Sequence, residues 1–471
     1  MDPRTLEQAY QKMRVVGAAL GRVNANNTHS GNLSMRDPQD DDYFFITAAG
    51  SQIGALVPKD IVPVRFSEVS WGDTRGSTES NNHRKILSLP KSMAVVHGHG
   101  ISTTTISFDT KEKQLFTKYV GEDEKGREEF LYHPVDFFGS FVVGGVLVGS
   151  YVQPVGSPEM EERLPKYLSD NKLTIVRGHG PFGRGESLED GLYRLSAIEI
   201  SSTLILNLRR RGVEVVPLLS RIHELGPERF YRHSPHFLEV ENLTHRDIDD
   251  ESVIFDFTQR LNYNYNMQLS AYGTGSMSQR ITASEMIYCP MSAVPENMDF
   301  PLYRLKIEPA ENDNLDLQIH KLVYNNLNHN TCMITMNPMA VSEGMATLAE
   351  KYGEDVLYEK DTNIPYSPDD HPVVTPIDAE AIYLNPRLGL VDFHTACDPS
   401  PENPMLNMLR WYKGCCVISG YGIVSTGETT LEQPAHNASS AERIAQFRSN
   451  VDINHKILAG PSLSDFDPKT I

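Results

Sequence analysis

The chain has 471 residues, enough for two or three domains each with its own core. Its formal charge of −19 argues against nucleic acid or an anionic membrane as a partner, and the longest apolar run, from Phe137 to Val152, is too short and glycine-rich to span a bilayer. Five cysteines without a CxxC, and a start (MDPRTLEQAYQK) lacking a basic-then-apolar leader, read as the reduced, packed thiols of a cytoplasmic protein.

Apolar positions at helical spacing (Leu6, Tyr10, Met13, Val16, Ala19, Leu20) predict an amphipathic helix over residues 5–22. An Asn-rich turn and Ser30-Gly31-Asn32-Leu33-Ser34 follow. Next come a strand at 43–47, a turn at Ala48-Ala49-Gly50-Ser51 and a strand pair over 56–66. Gly76-Ser77-Thr78-Glu79-Ser80 then runs into an apolar-periodic segment as a helix N-terminus does. Glu79 therefore also reads as a first-turn carboxylate complementing the helix dipole, with Ser77 and Thr78 as caps.

That helix leads to Val95-Val96-His97-Gly98-His99-Gly100. On a strand, His97 and His99 project from one face. Alone, the pair equally describes two ordinary histidines. Charges dominate 111–130 and predict a solvated helix and loop, the run 137–152 predicts buried strand, and Ser157-Pro158-Glu159 opens a helix. A strand over 173–177 delivers Gly178-His179-Gly180, Gly183-Arg184-Gly185 reads as a turn, and a long helix over 187–211 closes this half. His179 brings the nitrogen donors to three, the number a catalytic metal needs when its fourth position stays open.

This order (SGN, strand, glycine turn, Ser-x-Glu ahead of a helix, HxH, GHG) resembles the class II aldolase/adducin family over residues 1–215. The resemblance implies a mixed, largely antiparallel sheet flanked by helices, in fourfold rings with sites between neighbouring subunits. It implies a divalent metal on His97, His99 and His179. Ligand count favours Zn²⁺, and imidazoles also accept Fe²⁺, Mn²⁺ or Co²⁺. Glu79 becomes the group that moves a proton, and the family's phosphate pocket maps onto Asn32, Gly50, Ser77 and Thr78. The family's TP[ST]G turn has Ala48 and Ala49 at its second and third positions here, so one donor is missing and a non-phosphorylated substrate becomes an alternative.

From about residue 251 the same order recurs. Gly275-Ser276-Met277-Ser278-Gln279-Arg280 parallels Gly31 to Arg36, His320-Lys321-Leu322 parallels His83-Arg84-Lys85, and Gly420-Tyr421-Gly422 parallels Gly178-His179-Gly180. In this register Thr335, Asn337 and Tyr421 replace the three histidines, and Asp316 replaces Glu79. The expected fold is thus α/β, with two tandem class II aldolase-like domains: 1–215 with the metal, a connection over 216–250 marked by Pro217, Pro227 and Pro235, and 251–471 without metal ligands. Ser157-Pro158-Glu159 matches Ser400-Pro401-Glu402 and sets His394 opposite Tyr151. In the aldolases a tyrosine just ahead of this helix donates a proton to the neighbouring site. His394 is expected to play that part, or else to be a plain loop histidine.

The expected activity is metal-dependent aldol cleavage or condensation of a small carbonyl compound through an enediolate. The same site also suits a decarboxylase (iron-dependent and oxidative in some relatives), a dehydratase or an epimerase. A third reading is an adducin-like scaffold, though adducin-type proteins lack the metal histidines. Two units per chain and a fourfold ring imply a homodimer of pseudo-fourfold symmetry.

Overall fold

Aromatic and β-branched runs form the strands, and the capped, apolar-periodic segments between them form the helices. The computed structural model describes residues 3–67, 75–219, 221–225, 248, 250–311, 313–360 and 362–451. The first half runs α1 (Pro3–Arg22), β1 (Asn32–Arg36), β2 (Tyr43–Thr47), β3 (Ile61–Arg65), α2 (Ser80–Leu87), β4 (Ala94–His97), α3 (Ile101–Ile106). It continues β5 (Lys118–Glu122), β6 (Glu128–Tyr132), α4 (Phe137–Val142), β7 (Val146–Gly149), α5 (Pro158–Asp170), β8 (Leu173–Val176), β9 (Gly180–Gly185), α6 (Leu188–Arg210). A short α7 (Arg221–Glu224) follows. The second half runs α8 (Glu251–Asn266), β10 (Ser276–Arg280), β11 (Glu285–Cys289), β12 (Tyr303–Lys306), α9 (Leu315–Asn326), β13 (Thr331–Thr335), α10 (Pro338–Tyr352), β14 (Val373–Val374). It ends α11 (Ala379–Leu384), β15 (Leu388–Val391), α12 (Phe393–Ala396), α13 (Pro404–Trp411), β16 (Cys415–Ile418), β17 (Gly422–Gly427), α14 (Glu432–Asn450).

Two mixed sheets result. The first has the order β3-β2-β1-β4-β9-β8-β7-β6-β5 and the second β12-β11-β10-β13-β17-β16-β15-β14. In each, one pair is parallel, β7 with β8 and β15 with β16, and the other neighbours are antiparallel. Order and direction agree from β3 to β7 and from β12 to β15; beyond that the first sheet adds the β5–β6 hairpin and the second the two-residue β14. No helix among the described residues is long and apolar enough to cross a membrane.

Four local expectations fail for physical reasons. Residues 118–132 form a hairpin instead of a helix, because the Asp123 carboxylate accepts from the backbone N–H groups of Lys125 and Arg127 and closes a turn. Most side chains of β5 and β6 are exposed or half-buried, so their charges conceal a strand. Within 137–152 the first part is helix, since Asp136 accepts from Gly139 N–H and caps α4. Over 56–66 the Pro58–Asp60 segment is a 3-10 turn, leaving only β3 extended. Gly183-Arg184-Gly185 lies inside β9, its guanidinium donating to the carbonyls of Leu168, Pro90 and Ser169. In the connection, Pro217 sits in a 3-10 turn, whereas Pro227 and Pro235 lie outside the described residues.

The halves share one hydrophobic core. α6 is buried on most of its surface and packs on β4 and β9 of its own sheet and on α10 of the other half. The junction is also polar: Asn207 donates to Ser342, and the buried Glu343 carboxylate receives Arg211 at 3.0 Å and Arg448 at 2.6 Å. A second core cluster, including Phe44, Ile86, Val95, Met160 and Phe182, lies on the far face of the first sheet beneath α2 and α5.

Candidate metal centre

β4 ends at His97, so His99 does not lie on the strand as the alternation implied. The chain bends instead: the His99 N–H donates to the Ala25 carbonyl at 2.8 Å, and α3 starts at Ile101. Buried Glu199 of α6 fixes that start, accepting from the N–H groups of Ser102 at 2.8 Å and Thr103 at 3.0 Å. The other end of α3 holds the loop that carries His179, since Ser107 Oγ accepts the Gly178 N–H at 2.9 Å. One short helix thus ties the His99 bend to the His179 turn.

His97, His99 and His179 converge. His97 Nε2 lies 3.1 Å from His99 Nε2 and 3.3 Å from His179 Nε2. His97 Nδ1 faces the Pro181 carbonyl at 2.9 Å. A carbonyl only accepts, so Nδ1 carries the proton and Nε2 presents its lone pair. Phe182, opposite His97 in the β4–β9 ladder, stacks on the imidazole at 3.8 Å. Burial and the neighbouring imidazoles hold His97 well below its usual pKa, and burial brings His99 and His179 down to about 4. Three neutral nitrogen donors therefore face one point. Two imidazoles at about 2.0–2.1 Å from a tetrahedral ion lie roughly 3.3 Å apart, so the observed spacing suits a divalent metal.

Glu79 immediately precedes α2 and is almost fully buried, with Oε2 3.4 Å from His97 Nε2 and Oε1 4.0 Å from His179 Nε2. Asn32 Nδ2 donates to Oε2 at 2.8 Å and also reaches Ser77 Oγ at 3.0 Å. Burial pushes the Glu79 carboxyl up to about 7, against the Asn32 bond and a backbone bond from Gly156. Glu79 Oε1 and Asn32 Oδ1 are buried without a hydrogen-bond partner, the condition of groups that a ligand completes. Ser77 is half-buried, Thr78 is exposed, and Gly50 has open space where a side chain would stand. The sequence reading missed Pro181, Phe182 and Gly156. Pro181 and Phe182 stand directly after GHG, and a ligand motif extends naturally to the residues that orient its rings.

Gly180 shows how tightly the loops are set. It has φ +151°, and a Cβ there would come within 2.2 Å of the Gly98 carbonyl oxygen. Gly180→Ala is expected to cost about 3 kcal/mol or more of stability in urea unfolding and to separate His179 from His97, lowering metal content.

The second half corrects the sequence register by one residue. Asn32 pairs with His97, whereas its counterpart Ser276 pairs with Ile334. His97 therefore stands against Ile334 and His99 against Met336, and not against Thr335 and Asn337. His179 does stand against Tyr421. Tyr421 donates to Asp316, the counterpart of Glu79, and His320 bonds Ser278 as His83 bonds Ser34. A buried carboxylate–phenol pair stands where Glu79 and His179 stand in the first half.

His394 is also displaced. Its Nε2 donates to the Tyr358 carbonyl at 2.8 Å, and no contact among the described residues joins it to the three histidines. Gly149 and Val391 hold the same place in their sheets, which puts Tyr151 against Phe393 and His394 against Val152. The side chain that crosses between halves onto a ligand-turn counterpart is Phe137, whose N–H donates to the Gly420 carbonyl at 2.8 Å. A cleft of about 1650 Å³ between α1, α8 and residues 296–303 does not include the three histidines.

Residues 11–206 match the model of the Class II Aldolase and Adducin N-terminal domain. Methylthioribulose-1-phosphate dehydratase of Microcystis aeruginosa is 29% identical over 205 residues, covering 42% of this chain and 92% of that protein. The 3-oxo-tetronate 4-phosphate decarboxylase of Escherichia coli is 25% identical over 185 residues, 39% of this chain and 79% of the relative. L-fuculose-1-phosphate aldolase from Thermus thermophilus superposes with a TM-score of 0.37 at 23% identity, covering 43% of this chain and 95% of that one.

Proposed function

Because the chain belongs, through residues 11–206, to the class II aldolase and adducin family, we propose that it is a divalent-metal-dependent lyase acting on a small carbonyl compound. The observation that carries this reading is one constellation: three neutral imidazoles facing one point, with the Glu79 carboxylate 3.4 Å from the central one. His97, His99 and His179 would hold the ion, which when bound supplies Lewis acidity toward adjacent oxygen atoms of the substrate. Zinc is favoured by ligand type and number.

Glu79 moves the proton. With its pKa near 7 before any cation binds, it takes a proton from a carbon or hydroxyl beside the carbonyl and returns it later. Asn32 keeps Oε2 in place and leaves Oε1 free for that exchange. Ser77, Thr78 and Gly50 would receive the far polar end of the substrate. Aldol cleavage, decarboxylation and dehydration all begin by placing negative charge beside the polarised carbonyl. The relatives named dehydratase and decarboxylase favour the latter two as the second reading.

Elemental analysis of purified protein, followed by screening of phosphorylated and unphosphorylated ketoses and keto acids with and without oxygen, tests the proposal. The expected result is about one divalent metal per chain and turnover that a chelator removes. No stoichiometric metal would return the protein to the scaffold class. The reading includes a homodimer and a second half that arose by duplication and holds no metal.

A further inference from the structure

In the second half the buried polar groups form an unbroken relay. Ser276 and Ser278 alternate along β10 and so share one face. The fully buried His320 bridges them, with Nδ1 at 2.5 Å from Ser278 Oγ and Nε2 at 2.8 Å from Ser276 Oγ. Ser276 also hydrogen-bonds the Asp316 carboxyl, which receives the Tyr421 hydroxyl as well. A carboxylate only accepts, so Ser276 gives its proton to Asp316 and takes one from His320 Nε2–H.

The first half repeats every link but one. His83, one turn after Glu79, has Nδ1 at 2.6 Å from Ser34 Oγ. Asn32 lies on the same face of β1 as Ser34, and its Nδ2 donates to Glu79 Oε2 at 2.8 Å. Burial keeps His83 neutral, its pKa brought down to about 3, so one ring nitrogen carries a proton and the other is bare. The buried Ser34 hydroxyl has no other partner among the described residues. It therefore donates to Nδ1 and leaves the ring proton on Nε2. His83 Nε2 and Asn32 Oδ1 are both buried without a partner, one a donor and the other an acceptor. Their counterparts, His320 Nε2 and Ser276 Oγ, are the bonded pair of the second half.

We infer that His83 is a positioning residue of the first-half site: its Nε2–H holds Asn32 Oδ1 and completes a relay Ser34–His83–Asn32–Glu79. An asparagine amide can turn over, and the side it presents to Glu79 decides where a proton rests. An ionised Glu79 suits only the NH₂ side. Once Glu79 has taken a proton, a turned amide would offer Oδ1 and draw that proton onto Oε2, away from a substrate. With Oδ1 held by His83, Oε2 always meets an N–H donor, and the proton is confined to Oε1, the orphan that a substrate completes. This consequence rests on the proton-transfer reading of Glu79; the hydrogen bond from His83 does not.

Two arms test it on the full chain. In protein labelled with ¹⁵N at histidine, the His83 ring is identified by its loss in His83→Gln. It should show Nδ1 bare and Nε2 protonated, with the proton at the low field of a hydrogen-bonded imidazole. That proton should move upfield in Asn32→Ala and return in Asn32→Ser, which installs the second-half residue. Nδ1 protonated in wild type, or an Nε2–H shift that Asn32→Ala leaves unchanged, would overturn the inference. The second arm follows exchange of the α-hydrogens of dihydroxyacetone, with and without phosphate, in D₂O. His83→Leu should slow exchange at least about tenfold at unchanged metal content, the scale of a small misplacement of a reacting group, while His83→Gln, which can still donate to Asn32, stays within about threefold of wild type. Wild-type exchange in His83→Leu, equal loss in both variants, or loss of metal with the ring would each overturn the positioning role. Wild-type protein that exchanges neither compound, while the Nε2–H still follows Asn32, would overturn the proton-transfer reading and leave the hydrogen bond supported.

Discussion

Replacing His97 by alanine is expected to abolish metal binding and, under the proposed lyase reading, to lower turnover by about a thousandfold or more, the size of effect that several kcal/mol of Lewis-acid stabilisation implies. His97 is the central imidazole of the three: both others lie within 3.3 Å of its Nε2, and its ring is stacked on Phe182 and held by the Pro181 carbonyl. The fold should survive, because the same sheet position in the second half is Ile334, an apolar residue within an identical ladder. His97→Ile is therefore the sharper form of the experiment. Metal content should fall below about a tenth of wild type while the unfolding midpoint stays within a few degrees. Full metal content in either variant would mean that the ion, if any, is held elsewhere.

Glu79→Gln separates proton transfer from metal binding. Glutamine keeps the shape and an oxygen for the Asn32 donor but cannot exchange a proton. Turnover is expected to drop by roughly 10²–10⁴ with the metal retained, the range for loss of a general acid–base group. If activity stays within tenfold of wild type, Glu79 is a buried helix-start carboxylate and nothing more. If the metal leaves with the carboxylate, Glu79 belongs to the ligand set. The two outcomes differ by one elemental analysis.

The arrangement of strands and histidines was readable because the motifs that carry it are local. HxH, GHG and Ser-x-Glu lie at element ends, and those ends converge at one edge of β1, β4 and β9. The pairing of the halves was readable only to within one residue. Strands β4 and β13 are buried on both faces, so neither has an alternation to anchor it, and the offset was set from motif likeness. The ladder partner decides: Ile334, not Thr335, faces Ser276. The same slip moved His394 into the place of Phe393. Charge conceals 118–132 for a different reason: only Phe130 and Tyr132 of the hairpin are fully buried, and exposed or half-buried positions such as Lys118, Glu122, Glu128 and Glu129 surround them. The contact of Phe137 with Gly420 could not be foreseen, because it joins segments nearly three hundred residues apart and follows from how α6 and α10 pack.

α6 also bears on the place of a second half that lacks counterparts of the three clustered histidines. Buried on most of its surface, it is wedged between its own sheet and α10, and Asn207 reaches across to Ser342. Without the second half, Asn207 would lose Ser342 and Phe137 would lose both the Gly420 carbonyl and the Phe393 ring, well before any question of chemistry arose. Packing against α6 is by itself a reason to keep the second half, whatever chemistry the first performs. Glu442, whose carboxylate accepts from the Ala340 N–H at the start of α10, serves that packing.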